Sequence, residues 1–566
     1  MNRPTPAIVA QDAVRRLPRW ALLLFCLAYA IPGLVGRAPW KGADIGAFGY
    51  MPEMARGKTS WMDPTLLGLR PEADGLLPYW LGAAAIRGLD GWMDPAFAAR
   101  LPFFALLALA LVATWYAVYD LARRPQAQPV AFAFGGEARP SDYAHAIADG
   151  SLLALIACLG LAQLAHETTP STAQLAFVAA SFFGVCAVGF WRISGTIAVV
   201  AGLSGLALSG APSMALLLGT GSLALHAFAP QTPGQDTARW RVLATIALAT
   251  LLAAALASLL DLWRWRILLP GDAGSRDWRN QGRLLLWFTW PAWPLVLWTL
   301  WRWRRQIISR APSLHMLLPL WFVTVALAAT MTTRPADRAL LLALPALAAL
   351  AAFALPTLQR SVGALIDWFT LLFFTGCGAI IWVIWVGMQT GFPRQAATNA
   401  LRQAPGFEAS FSLPAFLIAL GATLVWAWLV RWRVGRHRAA IWKSLVLPAG
   451  GAALCWLLLM TLWMPLLDHV RGYAVVVSQV GTWVRNAACV QETGLRRDQI
   501  AAFAYHGNYA IAPVSGPASC PWLLVNADTQ LDGPDRPDPR HWEYQATIRR
   551  PSDKADDVLL YRRIGP

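Results

Sequence analysis

Pro39-Trp40-Lys41-Gly42-Ala43-Asp44, Pro52-Glu53-Met54-Ala55-Arg56-Gly57 and Gly75-Leu76-Leu77-Pro78-Tyr79-Trp80 punctuate one polar stretch, residues 37–99, set between two apolar runs. Nearly everything around it is hydrophobic. Of the 566 residues, 57% are hydrophobic and 14% charged, against roughly 25% charged in a soluble domain; mean hydropathy is +0.45. Such a composition belongs to a polytopic membrane protein, and the 30 tryptophans suit the two bilayer interfaces, where Trp collects. Membrane helices need about 20 mostly apolar residues, with about 17 tolerated. Working outward from the polar stretch, about thirteen runs qualify: 20–36, 100–120, 151–165, 173–190, 194–210, 212–229, 242–260, 284–301, 314–331, 339–356, 366–390, 413–430 and 444–464.

Charge placement orients these runs. With the N-terminus in the cytoplasm, Arg123 and Arg124, Arg192, Arg239 and Arg241, Arg302 to Arg310, Arg360, and Arg431 to Lys443 all fall on the cytoplasmic side, as the positive-inside rule requires. The stretch 37–99, the His166-Glu167 turn, residues 261–283, Arg334 to Arg338, residues 391–412 and everything after Met464 fall on the other. The expected organisation is a transmembrane domain over 1–464 and a polar domain over 465–566 outside the cytoplasm. Short β-like runs, Trp522-Leu523-Leu524-Val525 and Val558-Leu559-Leu560-Tyr561, read as part of a small α/β fold there. Cys489 and Cys520, the two cysteines of that polar part, suggest a disulfide and an oxidising compartment; two unpaired thiols are the alternative. Arg15, Arg16 and Arg19 precede an apolar run that continues past Ala28-Tyr29-Ala30, which reads as an uncleaved signal anchor.

The net charge of +16 does not signal nucleic acid, because the cations sit in small clusters between apolar runs rather than on a folded basic surface. Residues 121–150 hold neither a Walker lysine nor a dinucleotide fingerprint, so no nucleotide is expected.

Within 37–99, residues 47–55 and 77–86 have the spacing of amphipathic helices lying in the interface plane. Asp44 comes just before the first. A carboxylate at the bilayer centre costs about 3 kcal/mol, and the loop places it at the interface instead. As chemistry, an interfacial acid suits a base working on a lipid-borne substrate; as structure, it suits a helix N-cap.

The residues Trp40, Asp44, Glu53-Met54-Ala55, Gly57, Pro64, Pro78-Tyr79-Trp80-Leu81 and Ala98-Ala99-Arg100-Leu101-Pro102 follow the order of the first periplasmic loop in the aminoarabinose transferase and protein O-mannosyltransferase families. Arg334-Pro335-Ala336-Asp337-Arg338, followed by Leu340-Leu341 and Pro345, resembles their basic segment. This resemblance implies a GT-C fold and an inverting transfer of a sugar from a polyprenyl (undecaprenyl) phosphate carrier to an envelope lipid, glycan or protein. It places the protein in a bacterial inner membrane, with the N-terminus cytoplasmic and the C-terminal domain periplasmic. The family's first-loop aspartate maps onto Asp44 as catalytic base. The anionic leaving group calls for cations, and Arg56, Lys58, Arg264, Arg266, Arg334 and Arg338 are the outward-side candidates for donor phosphate. Trp40, Lys41, Tyr79 and Trp80 form the candidate substrate loop. His166 and Glu167 read either as an acceptor or divalent-metal (Mg or Mn) position or as a polar helix cap. The chain departs from the family in three places. Asp74-Gly75-Leu76-Leu77-Pro78 lacks the usual lysine and one proline, Ile45 follows Asp44 where many members have a second acid, and Ala339 stands where a tyrosine is expected. A transporter or flippase, and a catalytically inactive envelope-assembly protein of the same fold, are the competing readings.

Overall fold

The computed structural model describes residues 5–564 apart from 73–74, 230–235, 264–274, 310–312, 435–439, 485–488, 516–518, 529–536 and 551–555. Each of the thirteen expected runs contains a helix. Among the described residues, seven single helices are long and apolar enough to cross a bilayer, or eight if the bent pair Asp277–Phe288 and Ala292–Ile307, turned by 86°, counts as one span. The sequence reading had one straight span at 284–301; Thr289-Trp290-Pro291 interrupts it. The remaining apolar helices are short. The first, α1 (Arg19–Ala30), stops ahead of Pro32 and Gly33, because proline cannot continue the ladder and Gly33 takes a positive φ of 88°. The run 339–356 breaks into Ala336–Leu341, Leu344–Ala352 and a 3-10 turn.

The polar stretch folds as α2 (Ala43–Ala55) and α3 (Leu77–Gly88), then enters α4 (Pro95–Ala122). Asp94 starts α4 by accepting the amides of Ala96 and Phe97, the N-cap arrangement. The next helix, α5, runs Pro140–Ala157, eleven residues ahead of the expected start at 151. The apolar pattern begins at 151, but Asp149 is satisfied inside the bundle by Trp115 Nε1 at 2.9 Å and the Leu17 amide at 3.2 Å. After α5 come the single turn α6 (Leu161–Leu164) and α7 (Pro170–Ala187). Helix α7 packs closely on Arg192–Leu208, where a Cβ on Gly202 would strike the Ser181 amide; small residues permit such approach between membrane helices.

The expected interfacial helices differ from what forms. Nine of the thirteen residues of α2 are buried, with Phe48 and Met51 at 0% exposure, each such side chain contributing about 1.5–3 kcal/mol by burial. The cover comes from the far end of the chain. Helix Arg497–His506 lies on α2 so closely that a Cβ on Gly49 would collide with the Cβ of Ala501. Phe48 meets Tyr505 edge-on, and Tyr505 donates to Asp94 at 2.9 Å.

That helix belongs to a five-stranded sheet of order β2-β1-β3-β5-β4, with β1 (Cys489–Thr493), β2 (Ala510–Pro513), β3 (Trp522–Asn526), β4 (Trp542–Ile548) and β5 (Val558–Arg563). The first two pairings, β1 with β2 and β1 with β3, are parallel, and β5 runs antiparallel to β3 and β4. A disulfide joins Cys489 to Cys520. Residues 37–99 and the sheet region thus share one face of the bundle. The opposite face gathers residues 10–17 against the first turn of α5 and Trp442: Arg16 pairs with Asp142 at 2.8 Å, and Trp442 donates to the Arg15 carbonyl at 2.7 Å.

Candidate functional site

Asp44 lies in the first turn of α2 and is 1% exposed. A buried carboxylate loses several kcal/mol of hydration and must recover it from donors. One oxygen accepts Arg37 Nη2 at 2.9 Å and the Trp40 amide at 3.1 Å. The other accepts the amide and the hydroxyl of Thr168, both at 2.8 Å. Burial works to raise the Asp44 carboxyl; Arg37, Arg100 and the two Thr168 bonds outweigh it and hold the group below its ordinary value of 3.8. Asp44 therefore belongs to the ionised state.

The segment between α6 and α7 supplies the other wall. Glu167 is 3% exposed and accepts Arg338 Nη2 at 2.7 Å and Gln163 Nε2 at 3.1 Å. Arg338 reaches on to the Thr169 and Ser171 hydroxyls at 3.2 and 3.0 Å. Burial, chiefly, and then the negative charge of Asp44 raise the Glu167 carboxyl against the pull of Arg338. The two acids are thus driven apart, one down and one up, a pattern that marks acid–base sites. Arg37 ties them together by donating also to the His166 carbonyl at 2.9 Å.

Trp40 packs between two guanidiniums, Arg37 at 4.7 Å and Arg471 at 5.2 Å from its ring centre, within cation–π range. Its Nε1 donates to Asp468 at 2.6 Å. Arg471 donates to Gln163 at 2.5 Å, closing a chain Arg471–Gln163–Glu167–Arg338. Asp468 and Arg471 lie on helix Met464–Arg471, more than 400 residues along the chain from Trp40. At this cluster, three guanidinium nitrogens are buried with no partner among the described residues: Arg37 Nε, Arg37 Nη1 and Arg100 Nη2. Each unpaired buried donor costs about 1–3 kcal/mol. Arg100 lies within α4 at 4% exposure.

The structure thus brings Asp44, Trp40, the His166 carbonyl, Glu167 and Arg338 together. It separates others. Arg56 and Lys58 stand at the far end of α2, half-exposed or more and paired with Glu53 at 3.8 and 3.4 Å; twelve residues of helix carry Arg56 about 18 Å from Asp44. Arg334 is exposed. Lys41 turns to Asp556 at 3.6 Å. Tyr79 is buried against Tyr50, and Trp80 donates to the Trp61 carbonyl at 2.7 Å, so both support the loop rather than line the acid pair. Arg264 and Arg266 lie outside the described residues. Sequence reasoning passed over Arg37, Thr168, Asp468 and Arg471. A lone arginine just past a span, as Arg37 is, carried the one available signal.

No group of three or more His, Cys, Asp or Glu residues stands together among the described residues. Both His166 nitrogens face carbonyls, Ala162 at 2.5 Å and Tyr29 at 3.1 Å. Burial above all, with Arg37 nearby, pushes its imidazole down to about 4. Asp44 and Glu167 are engaged with guanidiniums.

No family model and no curated protein matches the chain. Solved structures do. ArnT from Cupriavidus metallidurans bound to undecaprenyl phosphate superposes with a TM-score of 0.59 at 15% identity, over 96% of this chain and 98% of that one. The apo state of the same protein gives 0.56 at 14% identity, over 96% and 97%. The chain shares the fold of these ArnT structures. Within that fold, Asp44 and Glu167 occupy the junction between the first loop and the α6–α7 turn.

Proposed function

We propose that the protein is an inverting glycosyltransferase that takes a sugar from a polyprenyl phosphate carrier and passes it to a hydroxyl of an envelope lipid, glycan or protein, on the periplasmic face of a bacterial inner membrane. One observation carries this reading: the ionised Asp44 sits where the first loop meets the α6–α7 turn, ringed by Arg37, Arg100 and Thr168. The near-full-length likeness to a protein solved with undecaprenyl phosphate supports the carrier. In the transfer, the acceptor oxygen forms a bond to the anomeric carbon as the bond from that carbon to the phosphate oxygen breaks. The acceptor proton passes to the Asp44 carboxylate, and the carrier phosphate departs toward guanidiniums. Electrostatic stabilisation of such developing charge is commonly the largest catalytic contribution, and arginine suits it through its bidentate fork.

A second reading, an inactive assembly protein of the same fold, draws on the four hydrogen bonds that occupy both Asp44 oxygens. A general base must come within about 2.6–3.2 Å of the proton it takes, so transfer requires Thr168 or Trp40 to release the carboxylate. Sugar transfer from a synthetic polyprenyl-phosphate donor in detergent separates the two. Turnover by wild type that Asp44→Asn abolishes supports the transferase. Equal turnover by both removes Asp44 from the mechanism.

A further inference from the structure

The segment ahead of Asp44 is held by the far end of the chain. The Ala38 amide donates to Asp468 at 3.3 Å, the Lys41 amide donates to the Arg471 carbonyl at 2.9 Å, and the Gly42 amide donates to Asp498 Oδ2 at 3.2 Å. Lys41 Nζ lies 3.6 Å from Asp556. Asp498 and Asp556 are buried and are themselves fixed. Tyr473 donates to Asp498 at 2.8 Å, and Arg496 Nε donates to Asp498 Oδ1 at 3.3 Å. Arg496 also pairs with Asp556. Arg550, itself buried, donates to Asp556 at 3.1 Å and to the Val470 and Gly472 carbonyls, both at 2.9 Å. Burial first, then the charges of Asp498 and Asp556, push the Tyr473 hydroxyl above its ordinary value, so it remains a donor.

Adhesion alone does not explain this network. Helix Arg497–His506 already seats on α2 by close packing at Gly49 and Ala501 and by Phe48 against Tyr505. Buried ion pairs add little adhesion beyond such packing, because desolvation offsets their attraction; what they add is one geometry. Gly42 shows where that geometry is set. It precedes α2 with φ 81° and ψ −134°, a conformation that residues with a Cβ rarely adopt. A Cβ there would meet nothing within 4 Å, so backbone direction, not space, calls for glycine. Asp44 follows two residues later. We propose that Asp498, backed by Asp556, is a positioning residue: by accepting the Gly42 amide it fixes the turn into α2, and with it the line along which Asp44 faces the acceptor hydroxyl. The catalytic consequence rests on the transfer proposed above; the hold on Gly42 does not. A reacting group misplaced by about 1 Å can cost about 100-fold in rate, so a loosened Gly42 reaches the turnover step although Asp498 touches no substrate.

The test uses the full-length protein in nanodiscs and two readouts. In hydrogen exchange followed by mass spectrometry, Asp498→Ala should speed exchange over residues 38–46 about ten-fold and leave residues 500–506 within about two-fold of wild type. Asp498→Asn, whose amide oxygen can still accept the Gly42 proton, should fall between. Tyr505→Phe, which cuts the docking bond to Asp94, should leave 38–46 as in wild type. In transfer from a synthetic polyprenyl-phosphate donor, Asp498→Ala should lower kcat about ten-fold with the donor KM within about two-fold, Asp498→Asn should recover part of the loss, and Tyr505→Phe should change neither constant. Gly42→Ala, which alters only the backbone, should reproduce Asp498→Ala in both readouts, and it serves in its place should Asp498→Ala fail to fold. Wild-type exchange over 38–46 in a folded Asp498→Ala protein overturns the proposal. So does faster exchange with an unchanged kcat, or a loss of kcat in Tyr505→Phe equal to that in Asp498→Ala. Exchange that responds as expected in a protein whose wild type moves no sugar leaves the hold on Gly42 standing and sinks the enzyme reading alone.

Discussion

Two of the buried carboxylates, Asp149 and Asp44, stand at opposite ends of this bundle, and their surroundings differ in kind. Asp149, in α5, is 4% exposed and takes its hydrogen bonds from neutral donors, the Trp115 indole and the Leu17 amide. It fastens the N-terminal segment to the helices. Asp44 is 1% exposed and meets a guanidinium, two backbone amides and a hydroxyl, with a second acid one residue from Thr168. Burial is common to both, so burial does not define the site. What sets Asp44 apart is the convergence of several guanidiniums on a pair of acids whose proton affinities diverge.

The comparison breaks most directly at the two acids themselves. Asp44→Asn should lower transfer by about 10²–10⁴-fold, the range that positioned proton acceptors contribute, a loss larger than any fall in folded fraction, because two of the four donors can still bond the amide oxygen. Asp149→Asn should do the reverse: activity per folded molecule unchanged, and stability reduced by about 1–3 kcal/mol as charge-assisted bonds weaken. Transfer assays and thermal denaturation on both proteins check this pair, and a loss of activity in Asp149→Asn at equal folded fraction would erase the distinction.

Next in size comes the partner acid. Burial first, and Asp44 second, raise Glu167 above its ordinary 4.5, whereas Asp44 is held below 3.8. As pH falls, Glu167 takes a proton first and releases Arg338 while Asp44 stays ionised. Transfer should therefore decline on the acid side at a pH above 4.5, and Glu167→Gln should lose about 10–100-fold in kcat/KM at neutral pH, about 1.4–2.7 kcal/mol by the usual conversion. It should also lose that acid limb. A pH–rate profile of the two proteins reads both effects. An unchanged limb in Glu167→Gln would assign the titration elsewhere.

Part of this site was legible in the chain and part was not, for reasons of distance. Asp44, Glu167 and Arg338 were readable because each stands in a polar break between apolar runs, where an acid or arginine has no solvation reason to be. The expected strands at 522–525 and 558–561 form and pair with each other. Trp40 was readable by its neighbours, but its partners Asp468 and Arg471 lie beyond the last long apolar run and reach it only through the tertiary fold. Thr168 had no signal at all, since a threonine near a helix start is ordinary capping material. The buried character of α2 was hidden for the same reason: local spacing shows one apolar face, and the second is covered by a helix 450 residues later. A substitution at that contact sharpens the point. Gly49→Val sets a branched side chain against Ala501 and should destabilise the docked C-terminal region by about 1–3 kcal/mol, the cost of overpacking, read as faster proteolysis of the sheet region.

The smallest expected effect is the one that tests sequence proximity against geometry. Arg56 and Lys58 lie closer to Asp44 in sequence than any other cations of the loop except Arg37 and Lys41, and they were natural candidates for phosphate contact. The length of α2 carries them to its far end, where both are exposed and pair with Glu53. Exposed pairs of this kind contribute about 0–1 kcal/mol. The double substitution Arg56→Gln with Lys58→Gln should therefore change kcat/KM by less than about two-fold, while Arg338→Gln, one side chain against two, should cost more than both together. A large loss from the double substitution would mean that α2 rearranges to bring its far end to the acids, and that the buried network around Asp44 is one of two arrangements rather than the working one.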